Sequence, residues 1–504
     1  MPLKWIAFVV SLGAFTAVAC NDSEPKESDN TPSTSQSNNS VTYVPTGTQG
    51  SRRLDIRSYY LETCAKCHGN NAEGGGGGTL SLNTKEKFDQ KYDKPFYDAI
   101  QKGVPERGME AYDNLSDAEI WGLVVYIREL QAKALRSEFG SPTAKDGVFK
   151  GQRADYKLET VVDTESGLKT PWGIDWLPDG RYLVTSRTGK MHLFDKNGKG
   201  QEVANVPASV EMNQGGLMDV AVHPDYAKNG WIYLAVNDPK DSRSAMTKVV
   251  RGKLTFPNGV PTWGSTQDIL KLPDETYTSS GIHFGCRIAF DGKGHVFIAI
   301  GSRGNEDQPQ LITSPYGKIY RLMDDGKIPT DNPFKENSGV LGGVWSYGHR
   351  NPQGLAFGTD GKLYETEHAP RGGDELNEIL KGENYGWNII SYGINYNGTP
   401  HAVPWPTKDQ KFRMPIFRWL PSIGASGLDS VKGNAFPQWK GDLVAGGLVG
   451  NVVDRIRVKD GKLVEREELI HGMGRVRDVA CGPDGNIYIV FNQPDKVMRL
   501  VPAK

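Results

Sequence analysis

Cysteine is scarce: Cys20, Cys64, Cys67, Cys286 and Cys481 are the five thiols in 504 residues. A disulfide framework is therefore excluded as the main source of stability. Neither charge sign is in excess. The formal net charge is −1, so no basic surface is expected and nucleic acid is excluded as a partner. Long apolar runs are missing beyond residue 20. Glycine is plentiful, at 60 residues, which favours a turn-rich, largely β protein. At this length two or three domains are expected.

The N-terminus is the one apolar exception. Lys4 precedes a run from Trp5 to Val18 that closes in Ala17-Val18-Ala19-Cys20. It is too short and too N-terminal for a comfortable membrane span, and residues 1–19 read as an export signal. Ordinary cleavage after Ala-Val-Ala competes with lipidation of Cys20 in a bacterial lipoprotein box, where leucine usually occupies the place of Ala17. Residues 20–50 are rich in Ser, Thr and Asn, the composition of a disordered tether such as a lipid-anchored domain needs. The expected location is periplasmic, on a bacterial membrane through Cys20.

Tyr59-Tyr60-Leu61-Glu62-Thr63-Cys64-Ala65-Lys66-Cys67-His68 contains C-x-x-C-H. Two thiols on one helical turn can bond the haem vinyl groups while the adjacent histidine takes the iron. Zinc would need a second ligand pair, and the next cysteine is Cys286. A covalent haem c on Cys64, Cys67 and His68 is therefore expected. Met109 is the only methionine between Cys64 and the end of the following helix. It is the candidate sixth ligand, with a plain core methionine as the alternative. The helix starts at Ser116 with Glu119 three residues on, a capping box, and places Ile120, Leu123, Val124 and Ile127 at helical spacing. This order resembles class I cytochrome c domains over about 85 residues, here 51–137. Residues 74–78 are all glycine and read as a flexible loop.

After a linker at 138–154 the texture changes. Six times, over 155–503, a turn holding Asp, Gly or Lys leads into an apolar strand. The copies are at 177–184, 223–234, 291–298, 360–364, 440–444 and 483–488. Uneven spacing argues against a solenoid and for six blades of a β-propeller. The whole chain is thus expected to be multidomain, a small all-α domain followed by an all-β propeller. Polar residues interrupting apolar strand contexts are the site candidates: Gln214, His283, the segment 346–354, and Arg475 with Arg477. Two arginines one residue apart on a strand share a face and suit a multi-carboxylate ligand; a surface salt-bridge pair is the equal alternative. Cys286 and Cys481 either pair or stay as isolated buried thiols.

These phrases, with Glu367-His368-Ala369-Pro370-Arg371-Gly372-Gly373-Asp374-Glu375-Leu376-Asn377 and Asn384-Tyr385-Gly386-Trp387, resemble the soluble PQQ-dependent sugar dehydrogenases. That is the glucose/sorbosone dehydrogenase family, and the aldose sugar dehydrogenase branch is the nearest. The resemblance implies a six-bladed propeller with pyrroloquinoline quinone at its mouth beside calcium. It assigns Gln214, Arg350, Asn351, Tyr396, Arg475 and Arg477 to the cofactor. Glu375 and Tyr385 fall on a calcium site, and the carbonyls of Ala369 and Pro370 on a cofactor-bridged one. His283 falls on the general base, taking the hydroxyl proton while a hydride leaves the sugar carbon. Ser302 stands where the family carries a carboxylate that orients this histidine, which predicts a weaker base or a substitute in Glu306 or Asp307. Val449 stands where the family has a cofactor-contacting lysine. Trp419 is a candidate stacking platform for the sugar, or a core tryptophan.

The expectation is an exported quinoprotein that oxidises an aldose or related alcohol. Electrons then go to its own haem and on to an exported acceptor such as a cytochrome or respiratory chain component. A propeller that binds PQQ, calcium or sugar without catalysis is the first alternative; a calcium-dependent propeller lactonase is the second.

Overall fold

The structure, a computed structural model, describes residues 54–76 and 79–503. The export signal, the tether, Cys20 and two of the five glycines at 74–78 lie outside the described residues. Both folded parts belong to one compact unit that begins at Arg53.

The N-terminal part is helical. Ile56–Tyr59 continues through a π-helical turn, Tyr60–Cys64, into Ala65–His68, so C-x-x-C-H sits on the end of one bulged helix. Such a bulge re-aims the side chains after it. Asp93–Lys102 and Asp117–Phe139 pack beside it. The expected capping box is formed: Ser116 Oγ accepts from Glu119 N, and Glu119 Oε2 accepts from Ser116 N at 2.8 Å. Periodicity predicts one apolar face on Asp117–Phe139, yet Trp121, Gly122, Val125 and Arg128 are buried along with Ile120, Leu123, Val124 and Ile127. The second face is covered by loops of the propeller.

The remainder is the expected six-bladed β-propeller. Each sheet runs outward from an innermost strand: Pro171–Trp176, Leu217–Val222, Gly285–Phe290, Pro352–Phe357, Ala425–Ser430 and Arg475–Cys481 for blades one to six. Each repeated sequence phrase turns out to be the hairpin from an innermost strand to the next one out. Asp179, Asp291, Asp360 and Asp484 accept backbone N–H groups two residues on within these turns, the Asx geometry that selects aspartate there. Blade six is closed by the start of the domain, since Tyr156–Val162 pairs with Lys496–Pro502. That pairing joins the two ends of the ring and removes an open edge.

Aspartates stitch neighbouring blades. Asp175 accepts from Val222 N at 2.6 Å, Asp219 from Ile288 N at 2.8 Å, Asp429 from Cys481 N at 2.8 Å and Asp478 from Ile174 N at 3.3 Å. Arg287 fills the channel. It pairs with Asp219 of blade two and Asp478 of blade six, both at 2.9 Å, and donates Nε to Gln353 O of blade four. Its guanidinium lies 4.2 Å from the Trp172 ring of blade one. One side chain thus contacts four blades besides its own. Cys286 and Cys481 are free and belong to different blades, so they do not pair. Trp419 is a core residue, 2% exposed, with Nε1 donating to Asp454 at 2.7 Å; burial removes it as a sugar platform.

Candidate functional site

Gln214, His283, Arg350, Asn351, Arg475 and Arg477 stand at or just before the starts of four innermost strands. These strands run in the same sense around the channel, so their starts converge on one mouth. His283 is half-buried there. Its φ of 53° is left-handed, a strained conformation for a non-glycine residue that neighbouring structure must hold. Gln214 Oε1 accepts its N–H at 3.0 Å, and its Nδ1 lies 2.9 Å from Ser302 Oγ. Desolvation, then the charges of Arg350, His368 and Arg303, hold the imidazole well below its ordinary 6.5. It is therefore neutral at physiological pH. The hydroxyl of Ser302 occupies the orienting position; Asp307 faces Asn388 instead, at 3.5 Å.

Arg350 is 6% exposed and gives Nη1 to the carbonyls of His368 and Ala369 at 3.2 and 3.1 Å. Its Nε is buried and has no hydrogen-bond partner among the described residues. The guanidinium lies 5.1 Å from the Trp387 ring and 6.0 Å from that of Tyr396, which is 70% exposed. Asn351 Oδ1 accepts from Gly285 N, on the strand that follows His283. Arg477 is held by amide oxygens, Gln353 at 3.0 Å and Asn492 at 3.4 Å. Burial, with the like charges of Arg475, Arg287 and Arg187, pulls it down to about 9. The surface salt-bridge alternative fails for Arg477, since among the described residues amide oxygens and no carboxylate hold it.

Sequence reasoning missed His368. It is pushed down to about 3 by burial and by Arg477, Arg350 and Arg475, and its Nε2 is buried without a partner. Its signal was available: it stands beside Ala369 inside the most distinctive phrase of the chain. His401, stacked on Trp387 at 5.0 Å, was also missed, having no motif around it.

Beneath the mouth lies a buried acidic cluster. Glu365, Glu367 and Glu375 face Asn377 Nδ2 at 3.1, 3.5 and 3.2 Å. Glu367 Oε2 also accepts the backbone N–H of Arg350 at 2.6 Å, tying the cluster to the mouth. Burial and mutual repulsion push Glu365 and Glu375 well above the usual carboxylate range. Tyr385 stacks on His349, and its hydroxyl is spent on Glu378 O and Leu380 N. Any cation contact of Tyr385 therefore falls to its backbone carbonyl. Ala369 O already accepts from Arg350, and Pro370 O from Ser422 at 3.4 Å; a cation at Ala369 would face the guanidinium. Val449 is 68% exposed on the rim beside Gly424.

A model of the glucose/sorbosone dehydrogenase family matches residues 168–499, which include every blade-mouth residue named above. The chain belongs to that family. Residues 53–127 match the model of the cbb3-type cytochrome c oxidase subunit III, so this family member carries a cytochrome c domain fused ahead of its propeller. The chain is 36% identical over 351 residues to the aldose sugar dehydrogenase YliI of Escherichia coli, covering 68% of this chain and 91% of that protein. It is 28% identical to quinoprotein glucose dehydrogenase B of Acinetobacter calcoaceticus, over 73% and 92% of the two chains. A solved structure of the PQQ-bound aldose sugar dehydrogenase of Streptomyces coelicolor superposes with TM-score 0.56 at 26% identity, over 69% and 98%.

In the cytochrome domain Cys64 and Cys67 form no disulfide with each other. Among the described residues His68 Nδ1 has no partner and is buried, and burial, with Lys87 nearby, lowers its basicity. Met109 is held by a bridge to Val104 and packs into the same apolar cluster as Cys64.

Proposed function

We propose that this family member is an exported PQQ-dependent dehydrogenase that oxidises aldoses or related alcohols and feeds electrons to its own haem c. The observation that carries the reading is the cationic mouth around a neutral histidine, where Arg350 Nε and His368 Nε2 are buried and unpartnered. A tricarboxylate quinone supplies the acceptor that Arg350 Nε needs, and its ring N–H would supply a donor for His368 Nε2. Gln214, Arg350, Asn351, Tyr396, Arg475 and Arg477 would hold it. Bound there, the quinone would supply a two-electron hydride acceptor, and Cys64, Cys67, His68 and Met109 would hold a haem that supplies a one-electron acceptor. His283 Nδ1 is engaged by Ser302, so Nε2 takes the hydroxyl proton. Calcium fits the carboxylates of Glu365 and Glu375 with Asn377, whose Oδ1 is buried and unpartnered, as is Glu365 Oε1. The apolar run before Cys20 supports export and a lipid anchor to a bacterial membrane, with an exported cytochrome or respiratory component as acceptor.

The test is aldose oxidation coupled to a soluble one-electron dye. Activity that appears on adding PQQ and calcium supports the reading. Lactone cleavage without PQQ, or no PQQ binding, contradicts it.

Ser302 allows a sharper prediction. With His283 held well below 6.5, kcat/KM should stay level through that pH and fall only in more acid solution, as the base becomes protonated. Ser302→Asp stabilises the imidazolium, so its acid limb should move to higher pH by roughly 1–3 units. An unmoved limb in the pH profile would count against His283 as the base.

A further inference from the structure

Between Ile379 and Phe417, blade four makes a long excursion that contains no strand. This segment carries Tyr396 to the mouth, but much of its packing lies elsewhere. Ile394 and Leu420 are buried in the same apolar cluster as Trp121, Val124 and Val125 of the cytochrome domain. Trp405 meets Tyr97 and Trp121 edge-on at 4.8 and 5.5 Å. Trp121 Nε1 donates to Tyr392 O at 3.1 Å, and Ile56 N to Gly398 O at 3.1 Å. Asp93 pairs with both Arg128 of its own domain and Arg418 of blade four.

Arg371 stands at the centre. Its Nε and Nη2 reach both oxygens of Glu129, on Asp117–Phe139, at 2.8 and 2.6 Å. Its backbone exchanges two hydrogen bonds with Ile394, at 3.0 and 2.9 Å. Two residues before it, Ala369 O accepts from Arg350. Two glycines make the approach close. A side chain at Gly372, where φ is 95°, would meet Leu420 at 2.7 Å and Val125 at 3.3 Å. One at Gly398, where φ is 85°, would meet the Asp55 carboxylate at 2.9 Å.

We propose that the blade-four excursion is a docking platform that clasps the cytochrome domain against the rim of the mouth, with Arg371 and Glu129 as the clasp. Arg371 and Glu129 are positioning residues: they set how the haem-bearing domain faces the propeller and order the segment that carries Tyr396. The link to electron flow rests on the function proposed above. The clasp itself rests on the packing alone.

The test reverses the charge in the full-length protein. Glu129→Arg faces Arg371 with a like charge, a juxtaposition that destabilises an interface. Amide hydrogen exchange over residues 392–399 should quicken about tenfold or more, and sugar-driven haem reduction should slow by a larger factor than dye-coupled oxidation does. Glu129→Gln, which removes the charge without repulsion, should shift both in the same direction by less. Combining Glu129→Arg with Arg371→Glu should restore both. Unchanged exchange in Glu129→Arg, or failure of the double reversal to restore it, overturns the clasp. If the wild-type protein reduces neither dye nor haem with sugar and PQQ, the proposed function fails, and the exchange measurements still decide the clasp.

Discussion

Alanine at His283 is expected to lower kcat for dye-coupled aldose oxidation by about 10²- to 10⁴-fold, the contribution of a positioned general base. The imidazole is neutral because burial and three neighbouring cationic or imidazole groups disfavour its charged form. Its Nδ1 is occupied by Ser302, and its position is fixed by an N–H bond to Gln214 and a left-handed backbone. Alanine keeps the backbone bond, so PQQ binding and the unfolding transition should survive while turnover is lost. The measurement is steady-state kinetics beside a PQQ titration of the same variant. A loss below about tenfold would mean that the proton leaves by another route.

The second large effect is on the fold. Arg287→Met is expected to remove about 3–5 kcal/mol of unfolding free energy, because Asp219 and Asp478 remain buried with no cation between them. With Arg287 in place, burial and the neighbouring Asp219 already push Asp478 up to about 7. Without it both carboxylates should resist ionisation further. Carboxylates whose folded pKa is raised cost stability above their unfolded pKa, so the deficit should be greatest at neutral pH and shrink as pH falls. Denaturant unfolding at two pH values reads this directly. Adding Asp219→Asn and Asp478→Asn to Arg287→Met should recover part of the loss. A deficit under about 1 kcal/mol would show that the channel ion pairs behave like surface ones.

The hairpins were legible because four of the six turn on an Asx aspartate and all lead into an apolar second strand, signals written in adjacent residues. The mouth was legible because its chemistry comes from residues just before innermost strands, where His283, Arg350 and Arg475 interrupt apolar runs. Other features depend on contacts far apart in sequence. The helix Asp117–Phe139 is buried on a second face by Ile394 and Leu420, more than 250 residues away, and no periodicity of its own reports that. Trp419 reads equally as platform or core until Asp454 is seen to receive its N–H. His368 stands inside a distinctive phrase but has no spacing rule of its own, and the three arginines whose charge bears on it belong to blades four and six. The Ile379 to Phe417 excursion has no period to read, because its order comes from two domains at once.

The central claim is that sugar electrons reach the haem of the same chain. The most direct measurement is haem absorbance when the oxidised, PQQ- and calcium-loaded protein meets an aldose without oxygen or mediator. The expected result is reduction of the haem that requires both PQQ and sugar and is lost in His283→Ala. A haem that stays oxidised while an added dye is reduced would contradict it.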